Sequence, residues 1–198
     1  KYFHEQGHDV YYICNMDEAF INEHEGYAHC INVNMERGLS PMSMLKSMFV
    51  MYKIFKREKF DCIQYATPNA SFIGSIAAWL AGIKYRVYGF WGMRYEGALG
   101  MSRRILMMFE KITCKLSTHV RIVSPKNMEI VIKDGVCPRN KIGVIGLGGT
   151  IGVNTKIYNI SKKDEFRKET RAKLGLNDNE YLYAFVGRIN ADKGINEL

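Results

Sequence analysis

Through its first 150 residues the chain alternates short apolar runs with longer segments of helical periodicity, and this alternation restricts the fold more than any other feature. The short runs lie at Asp9–Cys14, Ala28–Val33, Asp61–Tyr65, Tyr85–Tyr88, His119–Val123 and Lys141–Ile145, and the helical ones near 41–59, 72–81, 101–116 and 125–133. A strand followed by a helix and another strand has too long a connection for a hairpin, so the pattern predicts α/β architecture. The expected form is a Rossmann-like parallel sheet with helices on both faces and right-handed crossovers. The punctuation agrees, with Ser40 as N-cap before Pro41, Ser124 before Pro125, and glycine stops at Gly7, Gly82 and Gly135. Tyr2 to Gly7 reads as the end of a helix with no strand before it, so the first strand of the sheet is expected ahead of Lys1.

With 198 residues, 47% of them hydrophobic, the chain can bury a core of one domain plus part of another. Five cysteines with no CxxC pair argue against a disulfide framework or a zinc knuckle and for a reducing, cytoplasmic setting. The five histidines are scattered, so no metal site and no nucleophilic triad is expected, and no catalytic residue is assigned. The longest near-apolar run, Ile73 to Ile83, is too short to span a bilayer. A net charge of +8 favours anionic partners. Its cations are spread over several segments without a basic arm, which favours phosphates or acidic lipid over nucleic acid. In the helix from Pro41 to Lys59, Leu45, Met48, Phe49, Tyr52 and Phe55 recur at helical spacing beside Lys46, Lys53, Lys56 and Arg57. Two readings fit: a core-packing helix with a wet basic face, or peripheral contact with an anionic membrane.

Three loops draw attention. The segment after Asp61–Tyr65 carries Thr67 and Asn69, and Gly89 to Gly97 holds three glycines and three aromatics, with Trp91, Gly92, Arg94, Tyr95 and Glu96 as candidate cleft residues. Arg94 and Glu96 either pair with each other or face a ligand, Arg94 through an anionic group and Glu96 through a hydroxyl. Gly146 to Gly152 resembles a dinucleotide fingerprint but has Ile151 at its sixth position and opens no apolar helix, so it is read as an interdomain loop. At the far end, the continuous apolar run Leu182–Val186 predicts a strand buried on both faces. It leads into Gly187, Arg188 and Lys193, with a helix opening at Gly194-Ile195. Two cations near a helix start suit phosphate, although solvated loop charges would give the same spacing.

Phe185-Val186-Gly187-Arg188, then Asp192-Lys193-Gly194-Ile195 and Glu197-Leu198, resemble the opening of the donor domain in family-four glycosyltransferases. The resemblance continues through Ser40-Pro41, Asp61 to Gly74, Gly92 to Gly97, Val123-Ser124-Pro125 and the hinge-like Ile151 to Tyr158, and is similar to bacterial members that build capsular or O-antigen polysaccharide. It implies a retaining hexosyltransferase of two Rossmann-like domains without a metal or other cofactor. A nucleotide sugar would be the donor, and a glycan or polyprenyl-diphosphate-linked sugar the acceptor, at the inner face of a membrane. By the same resemblance Arg188 and Lys193, aided by Gly187, grip the donor diphosphate. The implied organisation is an acceptor-side domain at 1–150, a hinge at 151–160 and the start of the donor domain at 161–198. Many relatives carry histidines in the loop matching Gln64 to Thr67 and just before the glycine matching Gly92, where this chain has Gln64, Ala66 and Trp91. Paired glutamates that meet the donor in the family would fall beyond Leu198, so turnover is expected only of a longer polypeptide.

Overall fold

The computed structural model describes residues 1–34, 41–150, 152–187, 189 and 193–196. Its contacts divide the chain into one unit at Lys1–Ile151 and a second at Gly152–Leu198. The first unit runs α1 (Tyr2–Glu5), β1 (Tyr11–Cys14), α2 (Glu18–His24), β2 (His29–Asn32), α3 (Pro41–Glu58), β3 (Cys62–Ala66), α4 (Pro68–Ala81), β4 (Tyr85–Phe90), a 3₁₀ turn (Arg94–Gly97), α5 (Gly100–Leu116), β5 (His119–Ile122), α6 (Pro125–Lys133), a short 3₁₀ turn and β6 (Ile142–Val144).

Every strand pairing is parallel, as the alternation predicted. Four strands pair in the order β3-β4-β5-β6, with Ala66 opposite Gly89 and Phe90 opposite Ile122. Sequential order with right-handed crossovers puts α4, α5 and α6 on one face. The two strands β1 and β2 form a separate pair, and among the described residues no ladder joins β1 to β3.

Two clusters hold this unit together. Tyr65, Tyr88, Phe90, Val120, Ile122 and Ile142 from the sheet pack with Leu106, Cys114, Val131 and Val136. Met51, Ile54 and Phe55 of α3 pack with Ile73, Ala77 and Ala78 of α4, and Ile13 and Ile31 of the two-stranded piece lie against them. Small residues let the helices approach: a Cβ on Gly74 would stand 3.5 Å from the Met51 methyl.

The helix faces differ from the expected ones. In α3, Leu45 and Phe49 are each 56% exposed, while Ser47, Met51, Ile54 and Phe55 are buried. In α5, the expected apolar line through Ile105, Phe109, Ile112 and Leu116 is turned outward by about one residue, and Leu106, Glu110, Thr113 and Cys114 face the sheet. Both helices carry apolar side chains around most of their circumference, so the choice of inner face is made by which stripe fits the strands. The expected N-cap Ser40 lies outside the described residues.

In the second unit, a 3₁₀ turn (Ile160–Lys162) leads into α7 (Lys163–Leu174), which ends at Gly175 in the left-handed conformation with φ 68. The expected strand at Leu182–Val186 does not form: the run has no regular secondary structure, and Tyr183 and Val186 are almost fully exposed. A strand exists through its neighbours, and no described segment of this unit pairs with it. The expected helix opening also fails, because Gly194 sits in a turn with φ 69, outside right-handed helical space. Arg171 is the buried residue here, donating to the Glu180 carbonyl at 2.8 Å and lying 3.7 Å from the Asp178 carboxylate, so it ties α7 to the turn that follows.

Among the described residues of the first unit, Glu110 is a buried carboxylate. Glu110 accepts a 2.6 Å hydrogen bond from the Tyr88 hydroxyl, and burial pushes its pKa up to about 7. Its folded pKa thus exceeds its unfolded one, so the stability it allows is complete below about pH 4.5 and falls as pH rises towards 7. Glu110→Gln keeps an acceptor for Tyr88 and removes the charge. Urea midpoints at pH 5 and pH 8 should show the wild type losing on the order of 3 kcal/mol more than the variant across that window.

Candidate functional site

Parallel strands joined by crossovers send all the loops after β3, β4, β5 and β6 to one edge, the carboxyl edge, where open α/β sheets bind ligands. Ala66 and Gly89 are paired neighbours near the ends of β3 and β4, so Thr67 and the Trp91–Gly97 loop start side by side.

Thr67 is the strained member. It precedes Pro68, the first residue of α4, with φ 74 and ψ 132, a region costly for a β-branched residue. Its carbonyl accepts from the Ser71 amide at 2.9 Å, while its side chain is exposed and makes no capping bond. Strain of this kind at a ligand edge marks a backbone set by its surroundings. Asn69, in the first turn of α4, is half-buried.

Trp91 has a seat made for it by a glycine. Its amide donates to the Gly89 carbonyl at 3.1 Å, turning the chain back on itself. The indole then lies against the Gly89 Cα, so a Cβ there would stand 2.9 Å from Nε1 and 3.5 Å from the Ala66 methyl. Trp91 is 43% exposed, and Gly92 follows it at the surface.

The next turn sorts Arg94, Tyr95 and Glu96. Tyr95 is fully buried in the sheet cluster, with the Arg103 guanidinium 5.6 Å from its ring centre, and burial raises its hydroxyl pKa. It is a core anchor, which corrects its assignment to the cleft. In a 3₁₀ turn the neighbours of an inward residue face out, and Arg94 and Glu96 are both exposed. They form no ion pair with each other among the described residues, so the pairing alternative is set aside.

The carboxyl edge of β5 is closed by the glycine-rich stretch. Ser124 caps α6 by accepting from the Asn127 amide at 3.2 Å, and the Gly149 amide donates to the Val123 carbonyl at 2.7 Å. Gly148, at φ 97, lies so close that an added Cβ would be 2.2 Å from that oxygen. These glycines are needed for close backbone contact at the edge, in keeping with the loop reading over a dinucleotide fingerprint.

Of the donor-side residues, Arg188 lies outside the described residues. Gly187 is exposed with the Phe185 ring 3.0 Å from where its Cβ would be, and Lys193 is exposed in the turn at 193–196. Among the described residues no group of three or more His, Cys, Asp or Glu is placed to hold a metal ion.

Thr67, Asn69, Trp91, Gly92, Arg94 and Glu96, which sequence reasoning grouped, follow the carboxyl ends of β3 and β4. That reasoning missed Gly89 as the seat of Trp91, a role signalled only by a glycine at the end of an otherwise bulky strand.

Residues 1–148 match the model of the family described as Glycosyltransferase Family 4. The whole chain is 30% identical to half of the Staphylococcus aureus protein named capsular polysaccharide biosynthesis glycosyltransferase CapM. Over 154 residues, 77% of the chain, it is 27% identical to 38% of the Escherichia coli UDP-Gal:alpha-D-GlcNAc-diphosphoundecaprenol alpha-1,3-galactosyltransferase. The chain thus spans half the length or less of these curated relatives. Among solved structures, a glycosyltransferase from Rickettsia africae superposes with TM-score 0.62 at 18% identity, covering 90% of this chain and 44% of that one. The UDP-GlcNAc 2-epimerase of Methanocaldococcus jannaschii gives 0.52 at 20% identity over 70% of this chain and 37% of its own. At these identities the superpositions establish the fold, an N-terminal GT-B half, and nothing of the chemistry.

The seat of Trp91 can be tested directly. With the other tryptophan removed by Trp79→Phe, Gly89→Ala should shift Trp91 emission to the red and raise its quenching by acrylamide, while the far-ultraviolet circular dichroism stays unchanged. An unaltered spectrum would place the indole elsewhere.

Proposed function

Because the chain belongs to Glycosyltransferase Family 4, we propose that the complete protein moves a hexose from a nucleotide-diphosphate sugar to a glycan or polyprenyl-diphosphate-linked acceptor in cell-surface polysaccharide synthesis, with retention at the anomeric carbon. The observation that carries this reading is the convergence of Thr67, Asn69, Trp91, Arg94 and Glu96 at the carboxyl edge of adjoining parallel strands in a chain of this family. The relatives point the same way, since one is named for capsular polysaccharide biosynthesis and another for a diphosphoundecaprenol-linked acceptor.

In this reaction the bond from the anomeric carbon to the diphosphate oxygen breaks, and the acceptor oxygen takes its place. The leaving nucleoside diphosphate keeps the electron pair and gains negative charge. Arg188 and Lys193 would stabilise that charge as fixed cations, so the chemistry would need no metal ion. Gly187 leaves room for the phosphates beside the backbone. On the acceptor side, exposed Arg94 suits the diphosphate of a carrier lipid, and Glu96 suits a hydrogen bond from the acceptor hydroxyl. Residues 1–150 would be the acceptor-side domain, 151–160 the hinge and 161–198 the opening of the donor domain. Among the described residues no helix is long and apolar enough to cross a membrane. A lipid-linked acceptor would then be met by peripheral contact at the cytoplasmic face.

In the complete enzyme, Arg188→Ala and Lys193→Ala should each lower kcat by about 100-fold or more, the scale of removing one preorganised charge contact. Arg94→Ala should raise the acceptor KM about tenfold or more, the loss of one charge-assisted contact, and leave the nucleotide-sugar Kd unchanged. Wild-type kinetics in all three would reject the assignment, and an acceptor-independent conversion of free nucleotide sugar would point to an epimerase instead.

A further inference from the structure

Five free thiols are spread over the first unit, and two of them meet. Cys114 lies in the last turn of α5 and Cys137 in the turn between α6 and β6, and their side chains are in hydrogen-bond contact inside the sheet cluster. They are also the least exposed of the five, at 0% and 2%.

Two local structures hold these segments together. After α6 the chain reverses at Gly135, which has φ 62, and the Val136 amide donates back to the Val131 carbonyl at 3.0 Å. This turns Cys137 towards the core, and Pro138 behind it disfavours a helical Cys137. The 3₁₀ turn Arg139–Lys141 then brings the Lys141 ammonium to the open end of α5, where it donates to the Cys114 carbonyl at 2.9 Å and to the Lys115 carbonyl at 2.7 Å. Carbonyls of a last helical turn have no partner within the helix, so this cap is well placed to persist.

The other approach between cysteines is of a different kind. Cys14 and Cys30 sit on the paired strands β1 and β2, but Cys14 is opposite Asn32 and Cys30 is opposite Tyr12. A strand spacing of about 4.8 Å and a two-residue offset of about 6.6 Å put their Cα atoms roughly 8 Å apart, beyond the limit of about 7 Å for a disulfide.

The surroundings distinguish the two sulfurs in contact. The thiol of Cys114 is pushed up by its hydrogen bond to Cys137 and by burial, and Glu110 one turn earlier adds to this. The thiol of Cys137 is brought down by the same hydrogen bond and by the nearby Lys141 ammonium. Tyr65 and Tyr88, the other titratable groups that face Cys114, are pushed up by burial and stay uncharged. Cys137 is also the nearer of the two to solvent along the chain, since Pro138, Arg139 and Asn140 are exposed.

We propose that Cys114 and Cys137 form a redox site, which a peroxide converts into an intramolecular disulfide that staples the end of α5 to the turn ahead of β6. The Cys137 thiolate attacks one peroxide oxygen, the O–O bond breaks, and the departing hydroxide takes up a proton to become water. The Cys114 sulfur then attacks the resulting sulfenic acid, losing its proton as the S–S bond forms, the S–O bond breaks and a second water leaves. The two thiols lose two electrons, and hydrogen peroxide accepts them as it becomes two waters. Closure places β5, α6 and the Ser124 cap inside one covalent loop. It needs neither a donor nor an acceptor sugar and so stands apart from the transferase reading.

In the test, the chain is reduced, freed of reductant and treated with hydrogen peroxide at pH 7. Remaining thiols are alkylated in denaturant, and an unreduced digest is analysed by mass spectrometry. Linked peptides carrying Cys114 and Cys137, lighter by two hydrogen atoms than the separate ones, should appear before Cys62 is oxidised, although exposure alone would select Cys62 first. The bridged chain should melt about 5 °C or more above the reduced one. Cys114→Ala and Cys137→Ala should each abolish both the link and the shift. Lys141→Gln should slow closure about threefold or more at pH 7, with the rate recovering at higher pH as the thiolate forms without the ammonium. Oxidation of Cys62 while Cys114 and Cys137 both remain free, a link from Cys14 to Cys30, or a bridged chain that melts like the reduced one would overturn the proposal. An unchanged rate and pH profile in Lys141→Gln would overturn the attack by Cys137 thiolate.

Discussion

Parallel pairing is the constraint from which the rest of the first unit follows. In β3-β4-β5-β6 every strand points the same way, so each must be reached by a crossover helix, and every loop that leaves a strand's carboxyl end opens on the same edge. Thr67, Trp91, Ser124 and Gly146 are far apart in sequence and become neighbours at an edge for that reason alone. The sheet also fixes the helix directions, so the beginnings of α3 and α5 stand at the edge where the candidate cleft lies.

What the edge needs in return is a backbone that can turn tightly, and the core supplies the anchoring. Tyr95 fills the sheet cluster and so turns Arg94 and Glu96 outward. Gly89 gives up a side chain in a strand otherwise made of Tyr85, Arg86, Val87, Tyr88 and Phe90, and the indole of Trp91 takes the space. Thr67 holds a conformation that costs about 1–3 kcal/mol by itself, offset by the burial of α4 immediately behind it. Each exposed residue of the cleft is positioned by a buried or missing side chain next to it.

These dependences explain which features were legible in the sequence. Element order was, because strand and helix alternate at clear periods with Pro41 and Pro125 at helix starts and Gly82 at a helix end, although the helix expected from Phe72 begins four residues earlier, at Pro68. The inner faces of α3 and α5 were not: Leu45 and Phe49 satisfy helical spacing as well as Met51 and Phe55 do, and only the strands underneath decide between them. Glu110 in the core of α5 had no sequence signal at all, since a carboxylate is buried there only because Tyr88 donates to it. Leu182 to Val186 misled in the opposite sense. Its apolarity suggested burial on both faces, but apolarity identifies a segment that would be stabilised by burial and does not provide the ladder partners that make it a strand. Tyr95 was placed on the correct loop and the wrong side of it, because a loop composition does not show which residue anchors the turn.

Trp91 sharpens the chemistry required of the proposed reaction. An indole can donate a hydrogen bond through Nε1 and cannot accept a proton, whereas a histidine at that place could do either. In a site built around Trp91, the proton released by the acceptor hydroxyl has two destinations: the carboxylate of Glu96, or an oxygen of the departing diphosphate. The second becomes more basic as the sugar bond lengthens and charge gathers on it, and fixed cations that stabilise that charge also lower its basicity. The number of cations at the diphosphate therefore has an optimum: enough to hold the leaving group, and not so many that it can no longer accept the proton.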